Sequence, residues 1–283
     1  MLSEPSVYPR IGLALSGGAA RGMAHVGVLR ALVESDIPID FIAGTSAGSI
    51  VGGAFASGLP ISAIEDFGRT LRWRDIGRVK MSRLGFQSNE RLEHYMRARL
   101  PVTRFEELQI PFAAVATDLN TGAAVVMRDE GDVPFAIRAS CAIPGLYVPV
   151  SDQNGRQLVD GGLVAVVPST MARQLGADIV IAVDVNSDGA TFIGPTSSVI
   201  GVLLQSVMVV QKTASHYQRE MADLIISPKI SHIRWDEMGR AEELMAAGYE
   251  AGLEKIPDIR ELIEVFAKRH TTETPRLMTL KTG

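Results

Sequence analysis

The sequence predicts an α/β fold, a three-layer sandwich around a mostly parallel central sheet. Three observations carry this. Short apolar, β-rich runs alternate with longer stretches of helical periodicity along the 283 residues. Several of those runs are apolar at every position, as strands covered by helices on both faces must be. Apolar residues make up 46% of the chain, and no Pro/Ser/Gly-rich linker, repeat or low-complexity tract divides it. One domain over 1–283 is the economical reading, with a core at about 11–228 and a C-terminal helical extension at about 238–269.

Taken in order, the strand readings are 11–15 (IGLAL), 40–44 (DFIAG), 111–119 (PFAAVATDL), 123–127 (AAVVM), 157–161 (QLVDG), 178–185 (DIVIAVDV) and 223–227 (DLIIS). Helical patterns fall at about 22–35, 47–58, 60–74, 89–100, 133–141, 168–175, 197–220, 238–252 and 257–269. Residues at roughly 70–110 read as peripheral embellishment.

Charge narrows the function classes. The charged fraction is 21% and the formal net charge −4, with no long block of one sign, so no basic stripe marks a nucleic-acid groove or an anionic membrane. Nucleic acid is therefore not an expected partner. Cys141 is the only cysteine, which excludes an intramolecular disulfide framework and a Cys-based zinc cluster; its plain reading is a small buried apolar residue. The N-terminal MLSEPSVYPR lacks the apolar core of a signal peptide, and no run of about 20 apolar residues exists to span a bilayer. A cytoplasmic location is expected. No motif speaks to oligomeric state.

Three turns carry chemistry. The first, SGGAARG at 16–22, follows a strand and opens a helix, so its backbone N–H groups converge on a space suited to an anion, either a phosphate or a transient oxyanion. A dinucleotide site would need G-x-G-x-x-G and an acidic residue closing the next strand. Here Gly17, Gly18 and Gly22 stand at other offsets, and the second strand ends in a glycine-serine turn. The second turn, GTSAGS at 44–49, places Ser46 between Gly44 and Gly48 after a strand and before a helix, the setting of a nucleophile elbow. Ser46 as a helix cap is the competing reading. The third turn is DGG at 160–162, where Asp160 ends a short apolar strand and Gly161 and Gly162 allow close backbone approach. A desolvated carboxylate there can serve as the base for a serine; an Asp-Gly hairpin turn is the competing reading. The histidines at 25, 94, 216, 232 and 270 sit in helical or charged segments without a fixing partner, and none is an evident base.

The three turns in this order, with RASCAIPGLYVPV at 138–150 between the serine and the aspartate, resemble the patatin-like phospholipase family, particularly its bacterial branch related to neuropathy target esterase. The resemblance covers about 11–228 and implies a serine esterase acting on phospholipid or lysophospholipid esters. It implies a Ser46–Asp160 dyad, an oxyanion hole at Gly17, Gly18 and Ala19, and supporting roles for Arg21, Gly22, Gly44, Gly48, Gly161 and Gly162. Arg21 either braces the turn or attracts an anionic head group. The family's turn usually has a third glycine where this chain has Ala19, an exchange that a negative φ would accommodate. No metal or other cofactor is implied: calcium would call for clustered Asp and Asn ligands that the sequence does not show. A non-hydrolytic binding or regulatory protein, or a nucleotide-dependent enzyme, are the other classes.

The segment PTSSVIGVLLQSVMVVQKTA at 195–214 is too broadly apolar for an exposed helix. Core packing is its first reading; a lid, or peripheral contact with the inner face of the membrane, is the second.

Overall fold

The structure, a computed structural model, describes residues 8–186 and 199–272. Strands β1 (Ile11–Leu15) and β2 (Phe41–Thr45) pair in parallel, separated by helix α1 (Met23–Glu34) and followed by α2 (Ala47–Ala56). After them come α3 (Ile61–Thr70), the single turn α4 (Trp73–Ile76), an antiparallel hairpin of β3 (Arg78–Ser82) and β4 (Gly85–Ser88), and α5 (Glu90–Arg97). The chain returns to the sheet with β5 (Phe112–Asp118) and β6 (Ala124–Met127), then α6 (Val133–Ser140), β7 (Val150–Ser151) and β8 (Gln157–Asp160). It closes with α7 (Ser169–Leu175), β9 (Ile179–Val183), α8 (Val199–Arg219), β10 (Leu224–Ile226) and α9 (Ala241–Thr272).

The main sheet runs in the order β10-β9-β1-β2-β5-β8-β7, with β6 also on β5. β10, β9, β1, β2 and β5 are mutually parallel, whereas β6 and β8 join β5 antiparallel. Alternation along the strands divides the core into two. Ile11, Leu13 and Leu15 of β1 face one cluster with Ile42, Val26 and Leu29, and Ala14 faces another with Ala43, Ala113 and Ala172 of α7. The second face is lined by alanines, so α7 packs close; the first is lined by large aliphatics under α1, α2 and α9. Two packed faces make three layers.

Three local expectations change. The helix expected at 60–74 is two, because Leu71 and Arg72 are extended between α3 and α4. The 70–110 region holds the β3–β4 hairpin, which no sequence periodicity singled out. The helices expected at 238–252 and 257–269 are one, α9, running through Pro257. Ile256 and Ile259 are buried on either side of that proline, so the tertiary contact of this stretch outweighs the one helical hydrogen bond that proline removes.

Candidate active site

The glycine-rich turn leaves β1 at Ser16, whose N–H donates to Val183 O across 3.0 Å. Val185 N–H donates to Ser16 Oγ at 3.1 Å, and Asn186 Nδ2 donates to Gly17 O at 2.6 Å, so the turn is tied to the end of β9. His25, fully buried on α1, lies with Nε2 2.8 Å from Ser16 O. Burial pushes its pKa down to about 4, so the ring is neutral and Nε2 carries the proton given to that carbonyl.

Not every amide of the turn is available. Gly17 N–H is committed to Val166 O at 3.0 Å, and Ala20 N–H to Trp235 O at 2.8 Å. Of the three positions in the expected oxyanion set, Gly18 and Ala19 are the ones whose N–H groups meet no acceptor among the described residues. Ala19 also departs from expectation: its φ is +50°, the left-handed region where a Cβ costs on the order of 1–2 kcal/mol. Gly18 has no such freedom to spare, since a Cβ there would overlap Val185 Cγ2. Arg21 is buried and its Nε donates to Ile233 O at 2.7 Å; burial lowers its pKa while Asp236 and Glu237 oppose that. That bond ties the turn to the 230–235 loop, and Arg21 also lines the cavity described below. Gly22 packs on Ala47, joining the turn to the start of α2.

Ser46 follows β2 and precedes α2 with φ +51° and ψ −122°. That conformation costs on the order of 1–3 kcal/mol in a non-glycine residue and persists only where surroundings enforce it. Here Ser46 N–H donates to Ser140 Oγ at 2.8 Å, and Ser140 Oγ donates to Val115 O at 2.6 Å. Gly44 and Gly48 let the elbow fold tightly: a side chain on Gly44 would strike the Gly48 carbonyl, and one on Gly48 would strike Leu15 O. The Ser46 hydroxyl does not cap α2. Instead it donates to Asp160 Oδ2 at 2.7 Å.

Asp160 ends β8 and is followed by a single helical turn, not a hairpin. Gly162 N–H holds Oδ1 at 2.8 Å, which leaves Oδ2 facing Ser46, while Gly161 abuts Val115 O too closely for any side chain. Burial raises the Asp160 pKa to about 6, against the lowering effect of the Ser46 and Gly162 donors. Nearby Cys141 has its thiol pKa pushed up by burial and by Asp160, so it stays protonated, consistent with a packing role. The other described histidines lie elsewhere: His94 contacts Glu90 O, His216 Glu220 and His232 Glu243, all on the surface. The His270 side chain lies outside the described residues.

Ser46, Asp160, Gly18 and Ala19 share one cavity of about 120 Å³. Ile143 and Pro144 form part of its wall, and α8 supplies Val207, Met208 and Gln211. The opposite face of α8 is open: Val202, Leu203, Val209 and Val210 are each at least half exposed. The described part of the 195–214 segment is thus not the core helix expected from its apolarity: α8 roofs the cavity, and residues 195–198 lie outside the described residues. Among the described residues no helix is long and apolar enough to cross a membrane. Ser140 lies in the RASCAIP stretch, but its role depends on β5 lying beside Ser46, which no local pattern announces.

The sequence model described as patatin-like phospholipase matches residues 13–173. An uncharacterized NTE family protein of Mycobacterium tuberculosis is 39% identical over 188 residues, covering 65% of this chain and 51% of that protein. A lysophospholipase of Mycosarcoma maydis is 37% identical over 185 residues, covering 62% of this chain and 10% of its own length. Patatin-like phospholipase domain-containing protein 7 of Rattus norvegicus is 36% identical over 196 residues, covering 64% and 14%. The chain therefore matches about half of the mycobacterial protein and a small part of the larger ones. Among solved structures, VipD from Legionella pneumophila has a TM-score of 0.53 at 12% identity over 90% of this chain and 67% of that chain, a likeness of fold.

Proposed function

The chain belongs to the patatin-like phospholipase family, and we propose that it is a serine acyl hydrolase that cleaves carboxylic ester bonds of phospholipid or lysophospholipid. The observation that carries this is the 2.7 Å hydrogen bond from Ser46 Oγ to a buried Asp160 carboxylate on the wall of a largely apolar cavity. Ionised Asp160 takes the Ser46 proton as Oγ bonds to the ester carbonyl carbon, and the carbonyl π electrons move onto its oxygen. The unengaged N–H groups of Gly18 and Ala19 receive that oxyanion; one such donor is typically worth about 3–4 kcal/mol of the barrier. Collapse expels the alcohol, which takes the proton from Asp160. Water, deprotonated by Asp160, then adds to the acyl carbon; the bond to Ser46 Oγ breaks, Oγ takes the proton back from Asp160, and the fatty acid is freed. No step calls on a metal or a histidine.

Asp160 is suited to both transfers, because a pKa near 6 leaves it ionised at neutral pH yet more basic than an exposed aspartate. The acyl chain lies along Val207, Met208 and Ile143, and the exposed apolar face of α8 meets the lipid aggregate from which the chain is drawn. The protein then works as a cytoplasmic, peripheral enzyme. One domain is supported by a main sheet that takes every strand from β1 to β10 except those of the β3–β4 hairpin. The test is labelling by a fluorophosphonate probe: labelling that is present in the parent and lost in Ser46→Ala supports the reading, and absence of labelling in a folded parent rejects it.

A further inference from the structure

We propose that the β3–β4 hairpin docks this protein onto anionic phospholipid bilayers. The inference goes beyond the hydrolase reading, because it concerns binding and names the lipid charge. The hairpin forms a two-stranded sheet separate from the main one. Val79, Leu84 and Phe86 are 75%, 55% and 57% exposed on it, far more than apolar residues of a buried ladder. Interleaved with them stand the exposed cations Arg78, Lys80 and Arg83. Neither Arg78 nor Arg83 meets an acidic side chain among the described residues, and Lys80 stands 3.9 Å from Glu90.

The charge is local and strong. Residues 72–91 hold six basic side chains, Arg72, Arg74, Arg78, Lys80, Arg83 and Arg91, against Asp75 and Glu90, a net of +4 in a chain of total −4. The sequence shows no cationic stripe because these residues are spaced singly; the hairpin carries Arg78, Lys80 and Arg83, and Arg91 Nη1 of α5 donates to Arg74 O of α4 at 2.9 Å. Cations alone would suit any polyanion. Three exposed apolar side chains among them favour the bilayer interface, where cations meet head groups and apolar groups enter the acyl boundary.

The hairpin is also fixed to the cavity. Gln87 N–H donates to Leu146 O at 3.0 Å, and Val148 N–H donates to Gln87 O at 2.8 Å. Gly85 has no room for a Cβ against Val148 N and Tyr147, so β4 lies flush on this loop. The same loop carries Ile143 and Pro144 into the cavity wall. A membrane bound at the hairpin is held beside the cavity that contains Ser46.

The experiment is co-sedimentation of the full chain, carrying Ser46→Ala so that hydrolysis plays no part, with vesicles of phosphatidylcholine with and without phosphatidylglycerol. Binding should require phosphatidylglycerol and weaken with salt. Arg78→Gln with Arg83→Gln should lower affinity about 25-fold, about fivefold per cation. Leu84→Ser with Phe86→Ser should also lower it, whereas the melting temperature of all variants should match the parent. Equal binding to both vesicles, or unchanged binding by folded charge variants, overturns the proposal. So does full binding by the Leu84→Ser, Phe86→Ser variant, which would mean general polyanion affinity. Because binding is read without turnover, failure of the hydrolase reading leaves this result intact.

Discussion

The Ser46 hydroxyl donates a 2.7 Å hydrogen bond to Asp160 Oδ2, and Gly162 N–H occupies the other oxygen of that carboxylate at 2.8 Å. The carboxylate is thereby oriented and desolvated at once, with its pKa raised to about 6. For a base this sets the pH profile: hydrolysis of a soluble p-nitrophenyl ester should be flat at neutral pH and fall about tenfold per unit below about pH 6. His216→Ala and His232→Ala should keep both rate and profile, since each side chain stays on the surface with Glu220 or Glu243. A folded, inactive histidine variant would point to a triad.

Asp160→Asn should abolish hydrolysis yet stabilise the fold. The folded pKa lies above the unfolded 3.8, so ionised Asp160 costs stability that is lost as pH rises through about 6 and regained below about 3.8. A shift of this size corresponds to ~3 kcal/mol. Asparagine never ionises; its Oδ1 can still accept from Gly162 N–H while its Nδ2 donates to Ser46 Oγ, which reverses that bond. Thermal melting of the variant should therefore exceed the parent's at about pH 8, with the gap closing by about pH 4.

Ser140→Ala removes the acceptor for Ser46 N–H and strands a buried donor. The expected loss is about 1–3 kcal/mol of stability. Ester hydrolysis should fall with it, mainly in kcat, because φ +51° at Ser46 is held by that bond.

Ala19 and Gly18 should respond in opposite ways. Ala19→Gly relieves a positive φ, so denaturant melting should show a gain of up to ~1 kcal/mol with activity retained. Gly18→Ala drives a Cβ into Val185 and should displace the turn, with ester hydrolysis falling by at least the about 100-fold typical of a lost oxyanion donor.

Two residues three apart on α8 should separate substrate fit from surface contact. Val207 lines the cavity, whereas Val210 is 64% exposed. Val207→Ser should raise KM for medium-chain monomeric esters. Val210→Ser should leave monomer hydrolysis unchanged and weaken the rise in rate when substrate aggregates. Equal effects of both on monomers would mean that α8 does not divide into two faces.

The amino-acid sequence determined the alternation of strand and helix, the all-apolar strands of a doubly covered sheet, and the three turns that carry Ser46, Gly18 and Asp160. These are legible because periodicity and glycine placement are local properties of a chain. Tertiary structure decided what depends on neighbours distant in sequence. It gave Gly17 N–H to Val166 and left Gly18 and Ala19 free, and it set Ala19 at positive φ because the turn is clamped by Asn186, Arg21 and Trp235. It carried α9 through Pro257, because Ile256 and Ile259 find burial on both sides. It also made Asp160 a strong base for an aspartate, since desolvation belongs to a folded cavity and to no residue alone.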